Sequence, residues 1–503
     1  MIDRLHLGLP AETFRSIQLW LTIVVLSLAP LFFGSVDQVW VAIWTTLLSA
    51  AALCGVTEQL GAAQARLLLV FLGLCCAYAM VAIVQVVPHA IDPLNDPIWQ
   101  RAKDLLGSDI SPRISGQAEI SPVAIGHFLL FLTSVLSGFF VGASRRNGDR
   151  LVWFARYAIL FYAVYGLMAL ALTPNMLLWA PKTAYLGSLT ATFVNHNTAA
   201  TFIGAGVILW FCSAWLSLQS LRFSSLRLLL LMTSNEDVAF EVIVRAAAGF
   251  ICFFALFLTG SRGGLICSCL GLLVAIGLMI AGRLKLRFWW GLGSGTAALA
   301  VMVAWLSGTS RIGSQGLFDG ARWSVYGLCL EAIRERPWLG AGAGTFAELF
   351  PSLRTGDLSR WGVWDFAHST ILEIAVEMGI PIAAMVVIAA VASLVILAKA
   401  AVRSGEGSRS TLSAITGIAV LSYLHSLIDF SLQIPGYLIL FGILLGCGLA
   451  RAIAGFVKVS QNEIAQVRFR AFSSEVGTGS REENASEQEA RAAVPIQSER
   501  KRL

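Results

Sequence analysis

Charge is scarce in this sequence. Only 13 % of its 503 residues are Asp, Glu, Lys or Arg, against 57 % hydrophobic residues. Soluble domains carry about 25 % charged and roughly 45–50 % apolar residues, so the shortage excludes an ordinary soluble enzyme. The mean hydropathy of +0.74 agrees. Metal-binding residues are sparse too: six histidines and nine cysteines, with no cluster at a zinc-ligand spacing. No acidic constellation reads as a magnesium site, and no nucleophile elbow is present. Eight cysteines (54, 75, 76, 212, 252, 267, 269 and 447) lie inside apolar runs, where a thiol is a small hydrophobe. Only Cys329 falls outside them, so no disulfide framework is expected. Nor is a metal, a cofactor or a nucleic-acid partner.

What the sequence does have is long apolar runs. A helix crosses a bilayer with about 20 apolar residues. Runs bounded by charge, Pro or Gly read as twelve spans, near 17–34, 38–57, 67–87, 122–143, 151–173, 197–219, 245–260, 264–282, 288–307, 369–398, 411–430 and 434–456. The expected fold is an all-α, polytopic integral membrane helical bundle. Its membrane domain covers 1–456, and a solvated, disordered cytoplasmic tail covers 457–503. The seventh run is short enough to be tilted or partly re-entrant. The first does not read as a cleaved leader, because Asp3 and Glu12 interrupt its basic region and no small-x-small site follows.

Lys and Arg of short loops mark the cytoplasmic side. The basic stretches 145–150, 283–287 and 399–409, with Arg222, Arg227 and Arg245, share one side of a twelve-span chain. Both termini are expected there. The opposite face receives 88–121, 174–196, the turn at 261–264 and the large loop 308–368. Tryptophans at 323, 338, 361 and 364 in that loop argue for order.

Several motifs fall on this second face. Thr259-Gly260-Ser261-Arg262-Gly263-Gly264 sets an arginine in a break between two apolar helices. A charge at that depth costs a few kcal/mol, so Arg262 either snorkels or meets an anion beside the N-terminus of the next helix. The run from Arg322 to Ile333 reads as a short helix with Trp323, Tyr326, Leu330 and Ile333 on its apolar face, Asp319 as N-cap, and Pro337 as its stop. Gly340-Ala341-Gly342-Ala343-Gly344 follows; its N–H groups either cradle an anion or close a tight turn. His368 opens the tenth span, with Glu373 and Glu377 on one face below it. His425 and Asp429 can pair at i,i+4, and Asn195 or Asn197 caps the sixth span. His89 and His127 read as ordinary interface histidines.

These residues in this order resemble the O-antigen ligase and polymerase superfamily of bacterial membrane proteins. The matching pieces are Thr259 to Gly263, Arg322 with Pro337-Trp338-Leu339-Gly340-Ala341-Gly342, and His368 with Glu377-Met378-Gly379. One departure is Ser369, where many members have Asn. The resemblance implies a GT-C-like membrane glycosyltransferase of the bacterial inner membrane, active on the periplasmic face. It implies metal-independent, inverting transfer of a glycan from an undecaprenyl-pyrophosphate carrier to an acceptor glycan. Arg262 and Arg322 would hold the pyrophosphate, and His368 would activate the acceptor hydroxyl or orient the donor. Gly340, Gly342, His425, Asn195 and His196 complete the expected substrate-binding set. Membrane lipids and other envelope polysaccharide assembly proteins are the further partners implied. The 425–435 segment is similar to exopolysaccharide-type members, which favours a polymerase of repeat units over a ligase to lipid A-core. A twelve-span polysaccharide transporter or flippase is the alternative of a different class, and a structural scaffold is a third. The charged motifs cluster at one face rather than at the midplane where transporter sites lie.

Overall fold

The computed structural model describes residues 10–89, 91, 94–220, 236–281, 320–355 and 364–455. The chain divides into two compact units, Met1–Ala454 and Gly455–Leu503, and the description below concerns the first. The expected tail, the span at 288–307, the basic stretch 283–287, Arg222, Arg227 and Asp319 lie outside the described residues.

The molecule is an all-α, multi-pass membrane bundle. In chain order the helices are α1 (Ala11–Leu28), α2 (Gln38–Gly55), α3 (Ala62–Val86), α4 (Pro97–Leu106), α5 (Pro122–Ala143), α6 (Arg145–Leu172) and α7 (His196–Ser220). Then come α8 (Glu236–Leu258), α9 (Arg262–Ile280), α10 (Gly320–Glu335), α11 (Phe346–Leu353), α12 (Thr370–Arg403), α13 (Glu406–Ser426) and α14 (Pro435–Gly455). The only strands among the described residues are a two-residue antiparallel pair, Met176–Leu177 and Ala180–Pro181.

Ten of these helices are long and apolar enough to cross a membrane, two fewer than expected. One missing span falls outside the described residues. The other is α13, a full helix whose Ser and Thr content lowers its hydropathy. It needs no apolar exterior, because Leu412 to Ala419 and His425 are buried among neighbouring helices. Gly417 on α13 and Gly271 on α9 lack side chains where the two backbones meet; a Cβ on Gly271 would lie 2.4 Å from the Gly417 carbonyl oxygen. Small residues permit such close approach where lipid supplies no hydrophobic drive between helices. The seventh span is longer than the sequence suggests: Glu236 to Arg245 extends it to a 23-residue helix.

α7 and α14 are mostly buried, whereas α3 lies almost wholly on the outside. Among the described residues, the basic stretches 145–150 and 399–409 meet at one end of the bundle. Arg451 donates to Asp149 at 2.6 Å, joining the end of α14 to the start of α6, and Gly407 at the start of α13 faces Arg145. The motifs lie at the other end.

That end is closed by α10 and α11. α10 begins at Gly320 and stops at Glu335, two residues before Pro337, as expected. Its buried face is not the expected one. Val325, Leu328, Cys329, Ala332 and Ile333 face the core with Phe346 and Phe350, while Trp323 and Leu330 are exposed. The thiol of Cys329 sits inside this layer, and burial pushes it up to about 12, so it is no nucleophile at neutral pH.

Candidate functional site

The starts of α7, α9 and α12, the finish of α13 and the loop helix α10 come together at the end away from the basic stretches. Three helix N-termini there present their positive dipole ends.

At the centre is Asp429, which is 1 % exposed. A buried carboxylate requires partners. It accepts from Asn197 Nδ2 at 2.6 Å and Ser431 Oγ at 3.2 Å, and Arg322 Nη2 stands 4.0 Å away. Arg322 Nη1 also donates to the Ile428 carbonyl at 3.0 Å. The guanidinium, with 31 % of the side chain exposed, is thus braced by the 428–429 backbone and a buried carboxylate while keeping a face to solvent.

His425 is wholly buried beside it. Its Nδ1 shares hydrogen bonds with Thr201 Oγ1 at 2.9 Å and Ser431 Oγ at 3.2 Å. The expected His425–Asp429 pair is therefore indirect, with Ser431 bridging the two. α13 ends at Ser426, so Asp429 is off the helix and the i,i+4 geometry does not apply.

Arg262 heads α9 directly before Gly263, whose α-carbon faces the His425 ring, with an added Cβ falling 3.5 Å from Nε2 and 2.8 Å from Ile428 Cδ1. The head of α9, where Arg262 sits, and the Arg322 guanidinium therefore both adjoin the 425–429 segment. Ser261 caps α9 through the Gly264 amide. Arg262 is half-buried with no acidic partner among the described residues.

His196 Nδ1 lies 2.7 Å from the Thr259 carbonyl, and its ring stacks on Tyr185 at 4.2 Å. Burial first, and the Asp429 charge second, push the Tyr185 phenol up against the opposing effect of Arg322; it stays a neutral hydroxyl at physiological pH. Asn195 caps the start of α7 by accepting from the Asn197 amide at 2.7 Å. Its side-chain Nδ2 is buried with no hydrogen-bond partner among the described residues.

His368 stands on the far side of the same loop. Its ring packs edge-on against Phe430 at 4.9 Å and Trp364 at 5.2 Å. Its carbonyl accepts from Tyr326 of α10 at 2.9 Å, and its φ of +55° lies in the left-handed region, a costly geometry for a residue with a Cβ. Glu373 holds the turn: one carboxylate oxygen accepts from the Ala367 amide at 2.7 Å, the other from Gln433 Nε2 at 2.6 Å. The turn bearing His368 is thereby tied to the loop bearing Asp429.

The glycine turn does something else. Its last amide, that of Gly344, donates to the Glu377 carboxylate at 2.9 Å, which also accepts from Phe346 at the start of α11 at 3.0 Å. Ala343 donates to Gln85 at 3.0 Å, Gly342 to the Glu377 carbonyl, Ala341 to that of Val376, and Gly340 to that of Arg336. With these donors engaged internally, Gly340 and Gly342 are withdrawn from the substrate-binding set. They join the loop to α12 and α3 instead.

The structure thus gathers Arg262, Arg322, His425, Asn195, His196 and His368 around one loop. It adds Asn197, Asp429, Thr201, Ser431, Tyr185, Glu373 and Gln433. Among the described residues no group of three or more His, Cys, Asp or Glu side chains could hold a metal ion. Among known proteins, residues 247–388 match the family described as O-Antigen ligase. That segment contains Arg262, Arg322 and His368. No curated protein matches the chain.

Proposed function

Because this chain belongs, through residues 247–388, to the O-antigen ligase and polymerase superfamily, we propose that it elongates a polysaccharide. In this reading it transfers a glycan from an undecaprenyl-pyrophosphate carrier to a second lipid-linked repeat unit, at the periplasmic face of the bacterial inner membrane. What supports this reading is that the Arg322 guanidinium and the head of α9, which carries Arg262, both adjoin the 425–429 segment, where helix starts meet. A diphosphate is the ligand such a place suits. Guanidinium groups bind it bidentately and stay charged, and helix N-termini add aligned N–H dipoles.

The chemistry needs little else. The acceptor hydroxyl oxygen attacks the anomeric carbon while the bond from that carbon to the pyrophosphate oxygen breaks. The electron pair departs with the pyrophosphate, and the hydroxyl proton passes to His368. Stabilising the departing charge is an electrostatic task, performed by Arg262 and Arg322 without a metal. Asp429 and the Ile428 carbonyl hold Arg322 at the right place, and Glu373 keeps the His368 turn in register with them.

Arg262→Lys separates an anion-binding arginine from a snorkelling one. A lysine keeps the charge and loses the planar fork. Losing one charge-assisted hydrogen bond is worth about 1.5–3 kcal/mol, so polymer formation is expected to fall roughly 10- to 100-fold at unchanged protein level. A fully active lysine variant would leave Arg262 with a purely interfacial role.

Polymerase and ligase are told apart by the lipid-linked intermediates of a deletion strain. Accumulation of single repeat units is the expected result. Long lipid-linked polymer beside bare lipid A-core would make the protein a ligase, and unchanged glycans with a transport defect would make it a flippase.

A further inference from the structure

The basic end of the bundle holds a second charged constellation that glycan transfer leaves unused. Arg156 is the only charge in the α6 run from Leu151 to Leu172, and Arg245 is the last charge before the apolar part of α8. Both reach one residue of α7. Arg156 Nη1 donates to Ser213 Oγ at 2.5 Å, and Arg245 Nη1 donates to the Ser213 carbonyl at 3.2 Å.

A lone arginine near a membrane surface extends towards water. Arg156 does the opposite. It lies across the ring of Trp210, 5.0 Å from the centroid, and within 5.5 Å of the Tyr157 centroid. Trp210 is itself buried and donates to the Arg156 carbonyl at 3.1 Å. Two cations are thus held on one serine from two helices, and the carboxylate nearby among the described residues is Glu241, which pairs with Arg245. Arg156 has no ion pair among the described residues, and its Nε is buried without a hydrogen-bond partner. Like charges brought together out of water repel, and an orphan buried donor costs free energy; a bound anion relieves both.

The surroundings say where that anion comes from. Beside Arg156 the outer surface is aromatic: Trp20, Trp153 and Tyr157 are exposed. Trp153 contacts Tyr157 at 4.3 Å, and Trp20 meets Phe154 at 5.5 Å. Exposed Trp and Tyr at a helix periphery mark the headgroup level of a bilayer, and basic pockets between membrane helices hold lipid phosphates. We propose that Arg156, Arg245 and Ser213 form a binding site for the phosphate of an anionic phospholipid, at the end of the bundle opposite the glycan site.

Full-length protein in nanodiscs of equal parts phosphatidylcholine and phosphatidylglycerol, released into native mass spectrometry, tests this. The wild type is expected to retain phosphatidylglycerol about tenfold over phosphatidylcholine, and the Arg156→Gln/Arg245→Gln variant to lose that preference. The Arg145→Gln/Arg150→Gln variant removes two charges of the same end from outside the cluster, and should keep the preference. Equal losses in both variants would mean diffuse surface attraction and overturn the site. A measurement on the wild type alone guards against a variant that fails to fold: in neutral detergent, phosphatidylglycerol should raise the unfolding midpoint and phosphatidylcholine should not. No difference between the two lipids overturns the proposal, and so does equal protection by inorganic phosphate, which would make the ligand a free anion.

Discussion

Arg322→Ala is expected to lower polymer formation by at least about a hundredfold while the protein still inserts and accumulates. Removing one preorganised donor to a developing negative charge costs about 10²–10³ in rate, and here a whole guanidinium is removed. The fold should tolerate the loss. About a third of the Arg322 side chain is exposed, and the buried Asp429 keeps Asn197 and Ser431 as hydrogen-bond partners. The check is the length distribution of lipid-linked and surface glycan, alongside immunoblots of the membrane fraction. Normal product lengths in this variant would remove Arg322 from the site.

Gly340→Ala is expected to fail differently, by loss of folded protein. The φ of Gly340 is +67°, and a Cβ there would fall 2.3 Å from the Glu377 carbonyl oxygen. A left-handed residue with a side chain costs about 1–3 kcal/mol, and forcing atoms into a packed site costs about 1–3 kcal/mol more. Across the same joint, Gly379 would place a Cβ 2.4 Å from the Trp338 carbonyl, so neither backbone can yield. Thermal unfolding in detergent should show a midpoint lower by several degrees or more, with reduced accumulation in the membrane. A normally stable Gly340→Ala protein with weakened substrate binding would restore the phosphate-cradle reading of this turn.

These two positions also show what could be read from the chain. The glycine spacing left a tight turn and an anion cradle both open, and the amides of residues 340–344 form the turn, with Gly344 alone reaching a carboxylate. Glu377 is 33 residues from Gly344, and only the folded chain brings its carboxylate inside. The stop of α10 was legible because Pro337 acts locally. Its buried face was not, because beside a membrane an outward-facing tryptophan such as Trp323 is as acceptable as an inward one. The described part of the bundle was legible from its apolar runs, α13 among them, although its hydroxyls, shielded by neighbours, lower its hydropathy.

The arginines and histidines of the site stood out as charges and titratable groups in apolar surroundings. Asn197, Thr201 and Ser431 did not, since nothing local distinguishes them from helix caps. Their importance lies in pairings such as Asn197 with Asp429, 232 residues apart. No alternation or spacing in the sequence reports such a contact.

The order of synthesis gives the 425–433 loop a further significance. Asp429, which locates Arg322, and Gln433, which secures Glu373 beneath His368, follow Arg322 by more than a hundred residues in the chain. A nascent chain therefore carries both arginines through the synthesis of about a hundred further residues without the carboxylate that aims one of them. The constellation is completed only when this loop is made, after the starts of α7, α9 and α12 that it joins.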